Sequence, residues 1–134
     1  MSYSSPIARL YGAVMPRVVP GVVVGGVVGT ALRWAVLTHG PLDPRWATLL
    51  VNGAGSMLLG WVTARWPDRT ARARLTLGVG VAGGLTTFST LAVDVAASLD
   101  TGRFEAATLV VAANITAGLA GFAITRRSPT SARR

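Results

Sequence analysis

The chain contains four long apolar stretches that are separated by short polar segments. The stretches cover about residues 18–37, 46–64, 75–99 and 106–125, and roughly 20 helical residues cross a bilayer core of about 30 Å. The segments between them read THGPLDPR, RWPDRTARAR and LDTGRFE, which are rich in turn residues. The pattern predicts an all-α membrane protein with four transmembrane helices in one domain, neighbouring helices running antiparallel.

Composition agrees with this class and excludes others. Of the 134 residues 51% are hydrophobic and 13% are charged, and the mean hydropathy is +0.50. There is no cysteine, so disulfides and thiolate metal sites are excluded, and the single histidine, His39, stands beside Gly40 and Pro41 in a turn. With no histidine, cysteine or paired-carboxylate constellation at membrane depth, we expect that the chain is not an enzyme.

The arginines carry topological information. All thirteen basic residues are arginine, and the net charge is +8. Ten fall on the side of the two termini, in the N-terminal tail, the second loop and the C-terminal tail: Arg9, Arg17, Arg65, Arg69, Arg72, Arg74, Arg126, Arg127, Arg133 and Arg134. Arg33, Arg45 and Arg103 fall on the other side. The positive-inside rule predicts a multi-pass protein of the cell membrane with both termini cytoplasmic, and the expected partner is the lipid bilayer, not nucleic acid.

The third stretch contains the segment GGLTTFST, residues 83–90, near its middle. Glycine weakens a helix, and a local break would free backbone carbonyls that lipid cannot satisfy. Carbonyl and hydroxyl oxygens are hard ligands that suit an alkali or alkaline-earth cation. The other interpretation is a close helix crossing in which the threonines bond back to the preceding turn. Spacing alone leaves both open.

Polar residues also stand within the second and fourth stretches. Asn52 lies in VNGAGS with Ser56 one turn later, and Asn114 and Thr116 lie in AANITAG. Amides and hydroxyls of this kind replace hydration water along a narrow polar track. They also form hydrogen bonds that hold membrane helices together, so both interpretations remain.

Three further residues have two interpretations each. Phe88 is either a packing residue or a ring whose positive edge faces an anion. Asp94 is either a buried acid in an ion pathway or the solvated end of a helix. Arg33, within the first stretch, either reaches the interface as an anchor or supplies positive potential to an anion vestibule.

Four segments, in order along the chain, resemble the Fluc/CrcB family of fluoride ion channels. They are GGVVGTALRW, LLVNGAGSMLLGW, GGLTTFST and TGRF. The resemblance implies a fluoride-specific channel that allows passive fluoride efflux and lowers cytoplasmic fluoride. It also implies a broken third helix, an antiparallel dimer of four-helix subunits, and a structural sodium ion that is not transported.

Carried onto this sequence, the resemblance assigns roles to individual residues. The backbone carbonyls of Gly83 and Thr86 would hold the sodium ion. Arg33 and Asp94 would act in a vestibule or in gating, Asp94 standing where the family more often has glutamate. The residues of the anion pathway would be Asn52, Thr87, Phe88, Ser89, Thr90, Asn114 and Thr116.

Two features depart from the family pattern. Leu91 stands where the motif usually has a second phenylalanine, and the arginine bias is strong for a subunit that pairs with an inverted copy of itself. We therefore hypothesise pairing with an oppositely oriented paralogue, with a homodimer as the alternative. Two other functions stay open: a non-conducting partner subunit of a heterodimeric channel, and a small four-helix proton-coupled exporter that uses Asp94.

Overall fold

The computed structural model describes residues 6–127, with side chains from residue 15 onward, and this part of the chain is helical and contains no strand. Helix α1 covers Pro6–His39, α2 Pro44–Arg65, α4 Phe88–Asp100 and α5 Phe104–Arg126. Helix α3 covers residues 72–85 and joins Arg72–Arg74, a π-helical section Leu75–Ala82, and Gly83–Leu85. Arg133 and Arg134 of the topology count lie outside the described residues, as does the side chain of Arg9.

Four segments are long and apolar enough to cross a membrane: Met15–His39, Pro44–Arg65, Arg72–Asp100 and Phe104–Arg126. Each contains one of the four apolar stretches, so the predicted all-α class with four transmembrane helices is confirmed. Helix α1 begins twelve residues before its predicted stretch and continues through Pro16 and Pro20. The π-helical section of α3 was not predicted.

The loops between the helices are short and locally bonded. Asp43 Oδ1 accepts a hydrogen bond of 3.0 Å from the Arg45 amide at the start of α2, where Pro44 occupies the first helical position. In the second loop Asp68 Oδ1 accepts bonds of 2.8 Å from both the amide and the hydroxyl of Thr70. These bonds hold the pKa of the exposed Asp68 carboxyl below its ordinary value.

The helices pack as two main pairs, α1 against α3 and α2 against α5, with α4 resting on α5. The α1–α3 crossing brings backbone against backbone. A Cβ atom added at Gly29 would meet the Val81 carbonyl oxygen and would lie 2.8 Å from the Leu85 nitrogen. A Cβ atom at Gly84 would lie 2.5 Å from the Gly26 carbonyl oxygen. The close crossing considered from the sequence is therefore present.

The third span is also broken. Thr86 has ψ 153° and Thr87 has φ −143° and ψ 119°, both extended, before α4 begins at Phe88. Gly83 itself is helical, with φ −65° and ψ −38°. The predicted broken third helix is confirmed, and the break lies three residues beyond the first glycine. The two glycine-based interpretations thus describe neighbouring parts of one segment, because Gly84 serves the crossing and the threonines form the break.

Candidate functional site

One amide of α2 bonds the break directly. Asn52 Oδ1 accepts a hydrogen bond of 2.8 Å from the Thr87 amide, and Asn52 Nδ2 donates one of 3.1 Å to the Thr87 carbonyl. A primary amide offers a donor and an acceptor side by side, so it satisfies both backbone groups of Thr87. Without such a partner these groups would be costly at membrane depth.

The same amide connects the break to α5. Asn52 Nδ2 also donates to Asn114 Oδ1 at 2.9 Å, and Asn114 Nδ2 donates to the Val110 carbonyl at 3.0 Å. Asn114 is only 8% exposed. The two asparagines therefore do hold helices together, one of the interpretations left open, and they also gather polar atoms at one point.

The hydroxyls after the break form a cap on α4. Thr87 Oγ1 accepts from the Thr90 amide at 3.3 Å, and it lies 3.2 Å from Ser89 Oγ and 3.0 Å from Thr90 Oγ1. This arrangement satisfies an amide that the first turn of a helix leaves unpaired. The three hydroxyls are brought together, but they are engaged with one another.

Arg33 reaches the break from α1. Its Nη1 donates a hydrogen bond of 2.8 Å to the Thr86 carbonyl, while the Thr86 amide bonds the Ala82 carbonyl at 3.1 Å. A guanidinium at this point lies at the C-terminal end of α3, where the helix dipole favours positive charge. From the sequence Arg33 was expected to be an anchor or a vestibule charge; this contact was not predicted, because it depends on how α1 crosses α3.

The carbonyl of Gly83 is differently placed. In an unbroken helix it would accept from the Thr87 amide, but that amide bonds Asn52. The Thr86 hydroxyl approaches the Gly83 carbonyl at 3.4 Å, and Gly83 is exposed, with no atom within 4 Å of a Cβ added there. The donor chemistry at Gly83 and Thr86 fits a hard cation. Two carbonyls from one chain fill only part of the oxygen shell that such ions take.

These groups open onto a groove of about 810 Å³ between α2, α3, α4 and α5. Its lining is mostly apolar and includes Leu91, Val95 and Val111. Phe88 at the groove is 81% exposed, whereas Leu91 is only 9% exposed. The polar residues that line the groove are Asn52, Ser56, Thr86, Thr87 and Asn114.

The structure brings some of the predicted site residues together and separates others. Gly83, Phe88 and the polar residues above meet at the groove, but Ser89, Thr90 and Thr116 are outside its lining. Thr116 is exposed, and it follows Asn114 by two positions, about 200° around a helix. Asp94 also lies outside the lining, and its Oδ2 is buried without a hydrogen-bond partner. The roles of all these residues in sodium or anion binding stay predictions.

A second polar contact, on α4, was not predicted from the sequence. Ser98 is fully buried and accepts a bond of 3.2 Å from Arg45 Nη2, at the start of α2. A signal was available in the sequence, since polar residues at 87, 90, 94 and 98 recur at intervals of three and four. That spacing places them on one face of a helix.

Fold and site define a small multi-pass membrane protein whose polar groups converge on a break in the third span. Residues 21–125 match the family described as CrcB-like protein, Camphor Resistance (CrcB), and the chain belongs to that family. The resemblance stated from the four sequence segments is thereby confirmed.

Similar proteins are named fluoride-specific ion channel FluC. The one from Hyphomonas neptunium is 36% identical over 111 residues, covering 77% of this chain and 87% of that protein. The one from Stutzerimonas stutzeri is 34% identical over 125 residues, covering 84% of this chain and 99% of that protein. The one from Novosphingobium aromaticivorans is 38% identical over 110 residues, covering 75% of this chain and 86% of that protein.

Proposed function

We propose that this chain is a subunit of a fluoride-specific ion channel in the cell membrane that allows passive fluoride efflux and lowers cytoplasmic fluoride. The observation that carries the proposal is the break at Thr86 and Thr87. The side-chain amide of Asn52 bonds the backbone of Thr87 and lines a groove at membrane depth. Family membership and the names of the relatives support fluoride as the ion. A channel needs no catalytic set, so the proposed function is not that of an enzyme.

The groove supports assembly as an antiparallel dimer. One subunit leaves it open on one side, with the ring of Phe88 projecting from the surface and Gly83 exposed beside it. A second subunit in the opposite orientation would cover this surface and complete the lining. In that assembly Asn52, Thr87, Phe88 and Asn114 line the anion pathway, because amides and hydroxyls replace the water around a fluoride ion and the edge of an aromatic ring is electropositive.

A structural sodium ion, not transported, belongs to the same proposal. The carbonyls of Gly83 and Thr86 in each of two subunits would supply four neutral oxygens, where one chain supplies two. Bound sodium would offset the negative end of the α3 dipole at the break. Arg33 contributes positive charge to the same carbonyl of Thr86, so the ion and the guanidinium would share this helix end.

The arginines bear on the orientation of the chain and on the kind of partner it would pair with. The bias of ten to three supports cytoplasmic termini, and a bias this strong favours pairing with an oppositely oriented paralogue. Leu91 points the same way, since it leaves each groove with one phenylalanine of the usual pair. It also supports a second candidate, a partner subunit that does not itself conduct.

The test is fluoride efflux from liposomes that contain the purified chain, alone or with a co-expressed paralogue, with chloride efflux as control. We expect fluoride efflux without chloride efflux when the paralogue is present. Efflux from the chain alone would establish a homodimeric channel and refute the obligate heterodimer. No efflux in either case would favour the non-conducting subunit.

One substitution distinguishes the proton-coupled exporter from the channel. Asp94→Asn removes the one acid within the four apolar stretches of the sequence, so it would abolish transport by a proton-coupled exporter. In a channel it would alter the rate and leave passive efflux in place. The measurement is fluoride efflux from the same liposomes with the proton gradient collapsed by an ionophore.

A further inference from the structure

The polar face of α4 ends at an arginine of another helix. Ser98 Oγ donates a hydrogen bond of 2.9 Å to the Asp94 carbonyl, and it accepts one of 3.2 Å from Arg45 Nη2. Ser98 is fully buried and Arg45 is half-buried. The guanidinium is therefore held against the face of α4 that carries Asp94, and it is not free in solution.

The carboxyl group of Asp94 lies one turn away, and one of its two oxygens lacks a hydrogen-bond partner. Its Oδ2 is buried without a hydrogen bond, which is unusual for a group whose burial is costly. Residues four apart on a helix have Cβ atoms about 5–6 Å from each other, within reach of a long arginine side chain. A rotation of the Arg45 side chain from Ser98 to Asp94 would place a positive charge beside this carboxylate.

We infer that Arg45 is the counter-cation of Asp94 and a positioning residue for the anion pathway. The pair would then determine the free-energy barrier that an anion meets on the side of the membrane opposite the termini. The effect on transport rests on the proposed channel function. Thr87, Thr90, Asp94 and Ser98 recur along α4 from the break toward this side, and of these Thr87 lines the groove while the other three lie beside it. An uncompensated carboxylate along it repels an anion strongly at low dielectric, and a guanidinium beside it cancels that repulsion.

The test is a double-mutant cycle of Arg45→Gln and Asp94→Asn, followed by thermal unfolding in detergent and by fluoride efflux from liposomes that contain the assembly that conducts. Arg45→Gln should lower fluoride efflux about tenfold or more, because it leaves the carboxylate unpaired. Adding Asp94→Asn should restore efflux to within about threefold of the single Asp94→Asn variant, because the double and the single variant then both lack the carboxylate charge that Arg45 would neutralise. In unfolding, the double variant should be more stable than the sum of the single changes predicts.

Arg103→Gln is the matched control, because Arg103 is an exposed arginine on the same side whose Nε bonds Thr101 Oγ1 at 2.9 Å. It should leave efflux and unfolding unchanged. Additive effects in both measurements would overturn the inference, and so would an Arg45→Gln protein that fails to fold in both backgrounds, because Arg45 would then serve Ser98. An Arg45→Gln protein that folds only together with Asp94→Asn would support it.

The two measurements separate the two proposals. If no variant and no wild-type protein conducts fluoride, the proposed function fails, and the unfolding cycle still decides whether Arg45 and Asp94 are coupled. If the wild-type protein conducts and the cycle shows no coupling, the function stands and the role of Arg45 is refuted.

Discussion

The break has an inner side, packed against α1 and α2, and a side that faces the groove. The two sides differ in the bonding partners that one chain supplies. On the inner side all four backbone polar groups of Thr86 and Thr87 have partners, from Ala82, Arg33 and Asn52. On the groove side Gly83 is exposed and the ring of Phe88 is 81% exposed. A single chain therefore supplies the bonds that hold the broken helix in shape, whereas the groove surface stays exposed in one chain, as the proposed dimer requires.

The largest effect on the inner side is expected from Asn52→Leu. It leaves the amide and the carbonyl of Thr87 without partners, at a cost of about 1–3 kcal/mol for each buried group. Thermal unfolding in detergent should show this loss. Ser56→Ala is the control, since Ser56 lines the same groove one turn along α2. An Asn52→Leu protein as stable as that control would mean that the break does not depend on the amide.

Arg33→Gln should have the next largest effect. It removes the charged donor to the Thr86 carbonyl, and hydrogen bonds to charged groups contribute about 1.5–3 kcal/mol. Arg33→Lys should lie between the wild type and Arg33→Gln in unfolding, because an ammonium keeps the charge at the helix end. Equal stability of all three proteins would show that the contact between α1 and the break is dispensable.

Gly29→Ala tests the crossing that supports the inner side. The added Cβ meets the backbone of α3, and overpacking costs about 1–3 kcal/mol, partly offset by the gain in helix propensity of about 1 kcal/mol. Gly26→Ala is the matched control on the same helix, because no atom lies within 4 Å of its added Cβ. We expect lower unfolding temperatures for Gly29→Ala alone. A Gly26→Ala protein that loses as much would contradict the proposed crossing.

These contacts also show which parts of the fold and of the site can be predicted from the sequence. Hydropathy predicts the four spans because lipid imposes length and apolarity on each helix by itself. The Gly-Gly-Leu-Thr-Thr segment predicts a break and a crossing together, but only the packing of α1 assigns Gly84 to the crossing and Thr86 to the break. The contacts of Arg33 and Arg45 join residues 53 positions apart, and nothing local in the sequence encodes which carbonyl or hydroxyl a long side chain will reach.

The smallest effect on folding is expected from Phe88→Ala, on the groove side of the break. Because its ring is 81% exposed, removing it should change the stability of the monomeric subunit by less than about 0.5 kcal/mol, as for surface positions generally.

The same substitution should lower fluoride efflux from the assembled channel, since the ring belongs to the surface that a partner would cover. Phe104→Ala is the control, a ring that is 65% exposed and outside the groove lining, and it should affect neither measurement. Unfolding is measured at a dilution in detergent at which the chain is monomeric, and efflux in liposomes. A Phe88→Ala protein that is destabilised as a monomer would show that the ring packs within its own subunit. Unchanged efflux would remove the groove from the pathway.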